Sequence, residues 1–151
     1  MNAGGASPVS NQAVYRELIT VGESAIDANG HVNNVVFVQW MQDVAIRHFN
    51  SVVGMEPLRA AGAMWVVRSH HIEYLSPAFN GDQVNVLTWV VDFSRVRSMR
   101  RYKFIRAMDG KLLVRGETDW VFVNAGTGRP SSIPPSIRDV FPVLGKESDP
   151  N

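Results

Sequence analysis

The chain has 151 residues, enough for one domain with a single core and too few for a comfortable second one. Hydrophobic residues make up 45% of it and charged residues 19%, a globular composition that excludes a chain disordered throughout. Lys and Arg total 15 against 14 Asp and Glu, so no global field holds the chain on nucleic acid or an anionic membrane; the lack of cysteine removes thiol nucleophiles, disulfides and thiolate metal sites.

Residues 1–12 are mostly small and polar, with no basic cluster and no apolar stretch. They are expected to be a disordered leader, not a signal peptide, and no apolar run approaches the roughly 18 residues of a membrane span. A cytoplasmic location is the corresponding expectation. The folded domain is expected over 13–144, beginning with a short strand at Val14–Val21. Gly22 to Gly30 is polar and turn-rich and reads as a loop. The period then changes: Val36, Phe37, Trp40, Met41, Val44, Ala45 and His48 recur at three- and four-residue spacings, which predicts a helix from Asn34 to about Phe49 with one broad apolar face. Asn33 or Asn34 can cap its start.

Gly54, Pro57 and Gly62 predict an irregular link. Strands follow at Ala63–Leu75, Gln83–Phe93, Val96–Met108 and Lys111–Asn124, with turn signals at Asn80-Gly81-Asp82 and Asp109-Gly110. One helical turn is expected at Ile137–Phe141, then a flexible tail over 145–151. One helix cannot bury its apolar face alone, so the economical architecture is an α+β fold in which an antiparallel sheet of about five strands curls round it. An edge strand of that sheet stays unpaired and favours dimerisation.

Asp27 sits in the polar loop just before the helix. A carboxylate there can attack an acyl carbonyl or take a proton from water, and the free N–H groups of the helix start can receive charge growing on a carbonyl oxygen. It can equally be no more than a turn residue. His31 can act as a base or donor, or bond a loop carbonyl. Gly30 allows a tight turn or a close approach of substrate. Arg95, Arg97, Arg100, Arg101, Lys103 and Arg106 crowd one strand and read either as a solvated face or as a landing site for a phosphorylated group. His70 and His71 are neighbours on a strand and face opposite ways, so no metal site is expected.

The string Asp27-Ala28-Asn29-Gly30-His31-Val32-Asn33-Asn34, followed by Phe37 and Trp40-Met41, resembles the signature of the hotdog thioesterases, in particular the 4-hydroxybenzoyl-CoA and acyl-CoA thioesterase branch. Its His-Val-Asn-Asn portion also resembles acyl-ACP thioesterases. The likeness continues in Ile72-Glu73-Tyr74-Leu75-Ser76-Pro77-Ala78, Gly81-Asp82-Gln83-Val84, Gly128-Arg129-Pro130 and Ile133-Pro134-Pro135, and so covers about Tyr15 to Phe141. It implies a hotdog fold, with strand order 1-3-4-5-2 around one long helix, assembled as a homodimer or homotetramer.

The implied activity is hydrolysis of acyl-CoA or acyl-ACP thioesters, with no cofactor required because coenzyme A is part of the substrate. Asp27 matches the family's catalytic aspartate. Asn34 matches the helix-start position whose backbone N–H polarises the carbonyl. Gly30, His31 and Asn33 match the rest of the loop signature, with His31 and Asn33 belonging to the Gly-His-Val-Asn-Asn branch. Phe37 stands where relatives often carry Tyr, so no hydroxyl acts there. The acyl group is expected against apolar residues near Trp40, Met41 and strand residues, and the cofactor phosphates against Arg95 and Arg97. A dehydratase or hydratase on the same scaffold, or a non-catalytic acyl-thioester binding protein, are the alternative activities.

Overall fold

The computed structural model describes residues 13–151, so the leader expected over 1–12 lies outside the described residues. The chain runs through β1 (Val14–Thr20), a single 3-10 turn at Glu23–Ala25, the long helix α1 (Asn34–Val52), a short helix α2 (Glu56–Ala61), then β2 (Ala63–Tyr74), β3 (Gln83–Phe93), β4 (Arg97–Arg106), β5 (Leu112–Asn124) and the helical turn α3 (Pro135–Arg138). The five strands among the described residues form one antiparallel sheet in the order β1-β3-β4-β5-β2. This is the order that the hotdog resemblance implied. The link expected at 54–62 is helical over α2, with Pro57 in its first turn, where a missing N–H costs no helical bond.

The apolar stripe read from the sequence is the face that α1 buries: Phe37, Met41, Val44, Ala45 and His48. It packs on Val84, Val86, Tyr102, Phe104 and Val114, which point inward from the three central strands. Each large side chain sealed there contributes about 1.5–3 kcal/mol of apolar burial. Strand register shifts at Val67/Ser69, Val90/Asp92 and Phe104/Ile105 bend the sheet, as bulges do, and help it curl round the helix. Gly116 faces the helix from β5 because a Cβ there would stand 2.9 Å from the Met41 methyl.

The outer face of β3 is also apolar. Leu87, Trp89 and Val91 are buried there with Leu144 against them. The segment 145–151, expected as a flexible tail, is instead tied along this face. Gly145 N–H donates to the Val91 carbonyl at 3.0 Å, Arg101 Nη1 donates to the Lys146 carbonyl at 2.9 Å, and Lys103 Nζ pairs with Asp149 at 2.7 Å. An outward apolar strip needs cover, and this segment supplies it together with partners for two strand cations. Among the described residues no helix is long and apolar enough to cross a membrane. Among the described residues the outer edge of β2 has no partner strand.

Candidate active site

The loop that carries Asp27 is a small closed hairpin. Ile26 and Val32 form an antiparallel bridge, Asp27 N–H donates to the His31 carbonyl at 2.9 Å, and Gly30 N–H returns to the Asp27 carbonyl at 3.0 Å. Gly30 holds φ +83°, the left-handed turn that glycine allows, and has open space around it. Asp27 is half-buried, and its Oδ1 accepts the Asn29 N–H at 2.9 Å. Asn33 N–H donates to the Ala25 carbonyl at 2.9 Å, which draws the start of α1 back beside the base of this hairpin.

Of the two asparagines it is Asn33 that caps α1. Its side chain accepts the Val35 N–H at 3.0 Å and its carbonyl accepts the Val36 N–H at 2.9 Å. Between them, the Asn34 N–H meets no acceptor among the described residues. A helix start leaves such donors bare and adds a positive dipole end, a combination suited to a developing oxyanion.

A cavity of about 240 Å³ opens beside Asn34, walled by Phe37, Tyr74, Leu75 and Pro77, with His31 at its rim. The Tyr74 hydroxyl donates to the Asn34 carbonyl at 3.1 Å and so braces the helix start from the end of β2. Tyr74 lies in the stretch that carried the family resemblance, but nothing in its spacing marked it for this contact. The exposed His31 ring stands edge-on to Phe79, with centroids 5.6 Å apart. Of the apolar residues near Trp40 and Met41, Phe37 walls the cavity together with Tyr74 of β2. Met41 is wholly buried in the core, and Trp40 packs edge-on against Phe37 without reaching the cavity.

Arg95 and Arg97 are not brought to this place within the chain. Arg97 pairs across the sheet with Val121, and Val121 with Val66. Tyr74 is eight residues farther along β2, about 26 Å at strand rise. Arg95 donates to the Ser132 hydroxyl at 3.0 Å, and both Nε and Nη2 of Arg97 are held by Asp119. The rest of the basic cluster is not a solvated face either. Arg101 pairs with Glu117, Lys103 with Asp149, and Arg106 with Asp82 and Asp109, while Arg100 turns inward and is buried.

A family model described as the thioesterase-like superfamily matches residues 21–141. The chain belongs to the thioesterase-like superfamily. The match spans the Asp27 hairpin, α1 and the strands β2 to β5, and it bears out the resemblance read from the sequence. Within this superfamily the chain is 25% identical over 140 residues to a palmitoyl-acyl carrier protein thioesterase, chloroplastic, of Cuphea hookeriana; the match covers 88% of this chain and 34% of that protein. The chain thus spans about one third of the length of the curated relatives it matches.

Among solved structures, the 12:0-ACP thioesterase from Umbellularia californica superposes with a TM-score of 0.78 at 22% identity, over 85% of this chain and 49% of that one. A thioesterase from Thermus thermophilus, solved with coenzyme A and Zn, gives a TM-score of 0.72 at 28% identity, over 83% of this chain and 90% of that one. The fold of this superfamily member is therefore the hotdog fold.

Proposed function

We propose that this chain hydrolyses acyl thioesters to a free acid and a thiol, with Asp27 and the Asn34 backbone N–H as the working groups. The observation that carries the reading is the Asn34 N–H, without an acceptor among the described residues, which opens on a cavity at the helix start that is drawn back beside the hairpin carrying the half-buried Asp27. Asp27 delivers the oxygen nucleophile, as its own carboxylate oxygen or as a water that it deprotonates. Either route puts negative charge on the carbonyl oxygen, which the Asn34 N–H and the helix dipole receive. The C–S bond then breaks and the thiolate leaves and takes up a proton; where Asp27 itself attacked, a water then hydrolyses the mixed anhydride, which releases the free acid and restores the carboxylate. The side chains of His31 and Asn33 are not needed in this scheme, and the His31 ring forms part of the cavity rim against Phe79.

Coenzyme A is the first reading for the carrier. Acyl carrier protein is the second, favoured by the names of the curated relatives and by the distance of Arg95 and Arg97 from Asn34 within one chain. The edge of β2, unpaired among the described residues, supports a homodimer or homotetramer joined through the sheet, measurable by sedimentation. The decisive experiment offers the same acyl groups, short, long and aromatic, on both carriers and follows thiol release. Release from either carrier is the expected result. Enoyl absorbance without thiol release would point to a dehydratase or hydratase, and tight binding without turnover to a binding protein.

A further inference from the structure

A second cavity, of about 260 Å³, lies at the opposite end of α1 from Asn34. Its walls are Phe49, Leu58, Trp65, Phe93, Trp120 and Phe141, and its mouth is rimmed by Ile46, Met55 and Met64, each about half exposed. One charged side chain lines it: Arg100, only 4% exposed. Arg100 reaches this position because it alternates with Ser98, Tyr102 and Phe104 on the inward face of β4.

Its Nη1 donates to His48 Nδ1 at 2.9 Å and to Thr88 Oγ1 at 3.0 Å. A guanidinium can only donate, so the His48 ring proton sits on Nε2. Among the described residues neither Nε nor Nη2 meets an acceptor and no carboxylate pairs with Arg100. Burial lowers its pKa to about 10, which leaves it cationic at neutral pH. Every other cation on the β4 strand has an acidic partner. A buried cation without a counter-ion is costly unless something anionic joins it.

We infer that this cavity is a binding site for a small monocarboxylate, whose carboxylate pairs with Arg100 and whose apolar body lies among Phe49, Trp65, Phe93 and Trp120. The bidentate fork of a guanidinium matches a carboxylate, and the two nitrogens left over by His48 and Thr88 are the ones that complete it. The volume lies just below the roughly 300–1,000 Å³ of drug-sized ligand sites, so a medium aliphatic chain or a single ring fills it. Within one chain the site is separate from the Asn34 cavity, and it does not rest on the proposed hydrolysis. If that hydrolysis holds, the free acid released is itself a ligand of this class.

The test uses the full chain and the intrinsic fluorescence of Trp65 and Trp120, titrated with octanoate, phenylacetate and the uncharged octan-1-ol. One saturable octanoate site per chain is expected, at least about tenfold tighter than octan-1-ol, the margin of a charge-assisted pair. Excess coenzyme A is not expected to displace it. In Arg100→Met the preference for octanoate over octan-1-ol is expected to collapse. Met64→Trp, at the exposed rim, is expected to weaken binding without touching the core, and it serves if the Arg100 variant does not fold. Equal affinity for octanoate and octan-1-ol, displacement by coenzyme A, or octanoate binding unchanged in both variants would overturn the proposal and leave Arg100 as a brace between α1 and β3.

Discussion

The Asn33 side chain accepts the Val35 N–H at 3.0 Å and passes over the Asn34 N–H, which is left without an acceptor among the described residues. The helix start is thus capped one residue beyond its most useful donor. Asn34 can be replaced by proline to remove that single N–H: proline is tolerated at the first helical position, and Asn33 already holds φ −61° and ψ 135°, the extended region that a following proline requires. Asn34→Pro is expected to lower kcat by about 10²- to 10³-fold with little change in melting temperature. Asn34→Ala, which keeps the N–H, should stay close to the parent rate. Thiol-release kinetics and thermal melts of the two variants measure this, and full activity in the proline variant would remove the oxyanion role.

Asp27→Asn tests the carboxylate. The amide oxygen of asparagine can still accept the Asn29 N–H, so the turn should survive the change. The expected result is a loss of about 10²–10⁴ in kcat with KM little altered, because an interaction made in the transition state has gone while substrate contacts remain. An unchanged kcat would dismiss Asp27 from the reaction.

His70 gives the fold a pH dependence. Its ring sits inside β2 with Nδ1 2.8 Å from the Thr118 hydroxyl, and burial lowers its pKa below the ordinary 6.5. The folded chain therefore holds the neutral ring in a range where the unfolded chain binds a proton. This contribution is complete above about pH 6.5 and is lost as pH falls below that value toward the folded pKa. His70→Gln should show a smaller drop in melting temperature between pH 7 and pH 5 than the parent, since all other titrating groups are common to both. Equal drops would exclude His70 as a source.

Gly116→Ala probes the contact between sheet and helix. The new methyl would come within 2.9 Å of the Met41 Cε, in a core where Met41 has no exposed surface. The thioether tip is flexible, so the loss of stability is expected near the lower end of the roughly 1–3 kcal/mol typical of overpacking. Urea denaturation reads it as a shift in midpoint at constant slope. No shift would mean that Met41 swings aside freely.

Short-range chemistry was legible in the amino-acid order. The three- and four-residue spacing from Val36 to His48 marked α1, period-two runs and glycine turns marked the strands, and the Asp27–Asn34 string marked the family, because each rests on neighbours in sequence. The sequence left the capping residue open between Asn33 and Asn34, and only the path of the chain at Ala25 decides it. It could not tell that Arg97 would be taken by Asp119 or Lys103 by Asp149, since those pairs close over strands and the 145–151 segment. The alternation of Arg100 with Tyr102 and Phe104 was the one available hint that a cation of this cluster points inward. Which face of β4 becomes the inside, and that no carboxylate follows Arg100 there, was decided by the sheet curling round α1, because burial and the lack of a counter-ion are properties of packed neighbours far apart in the chain.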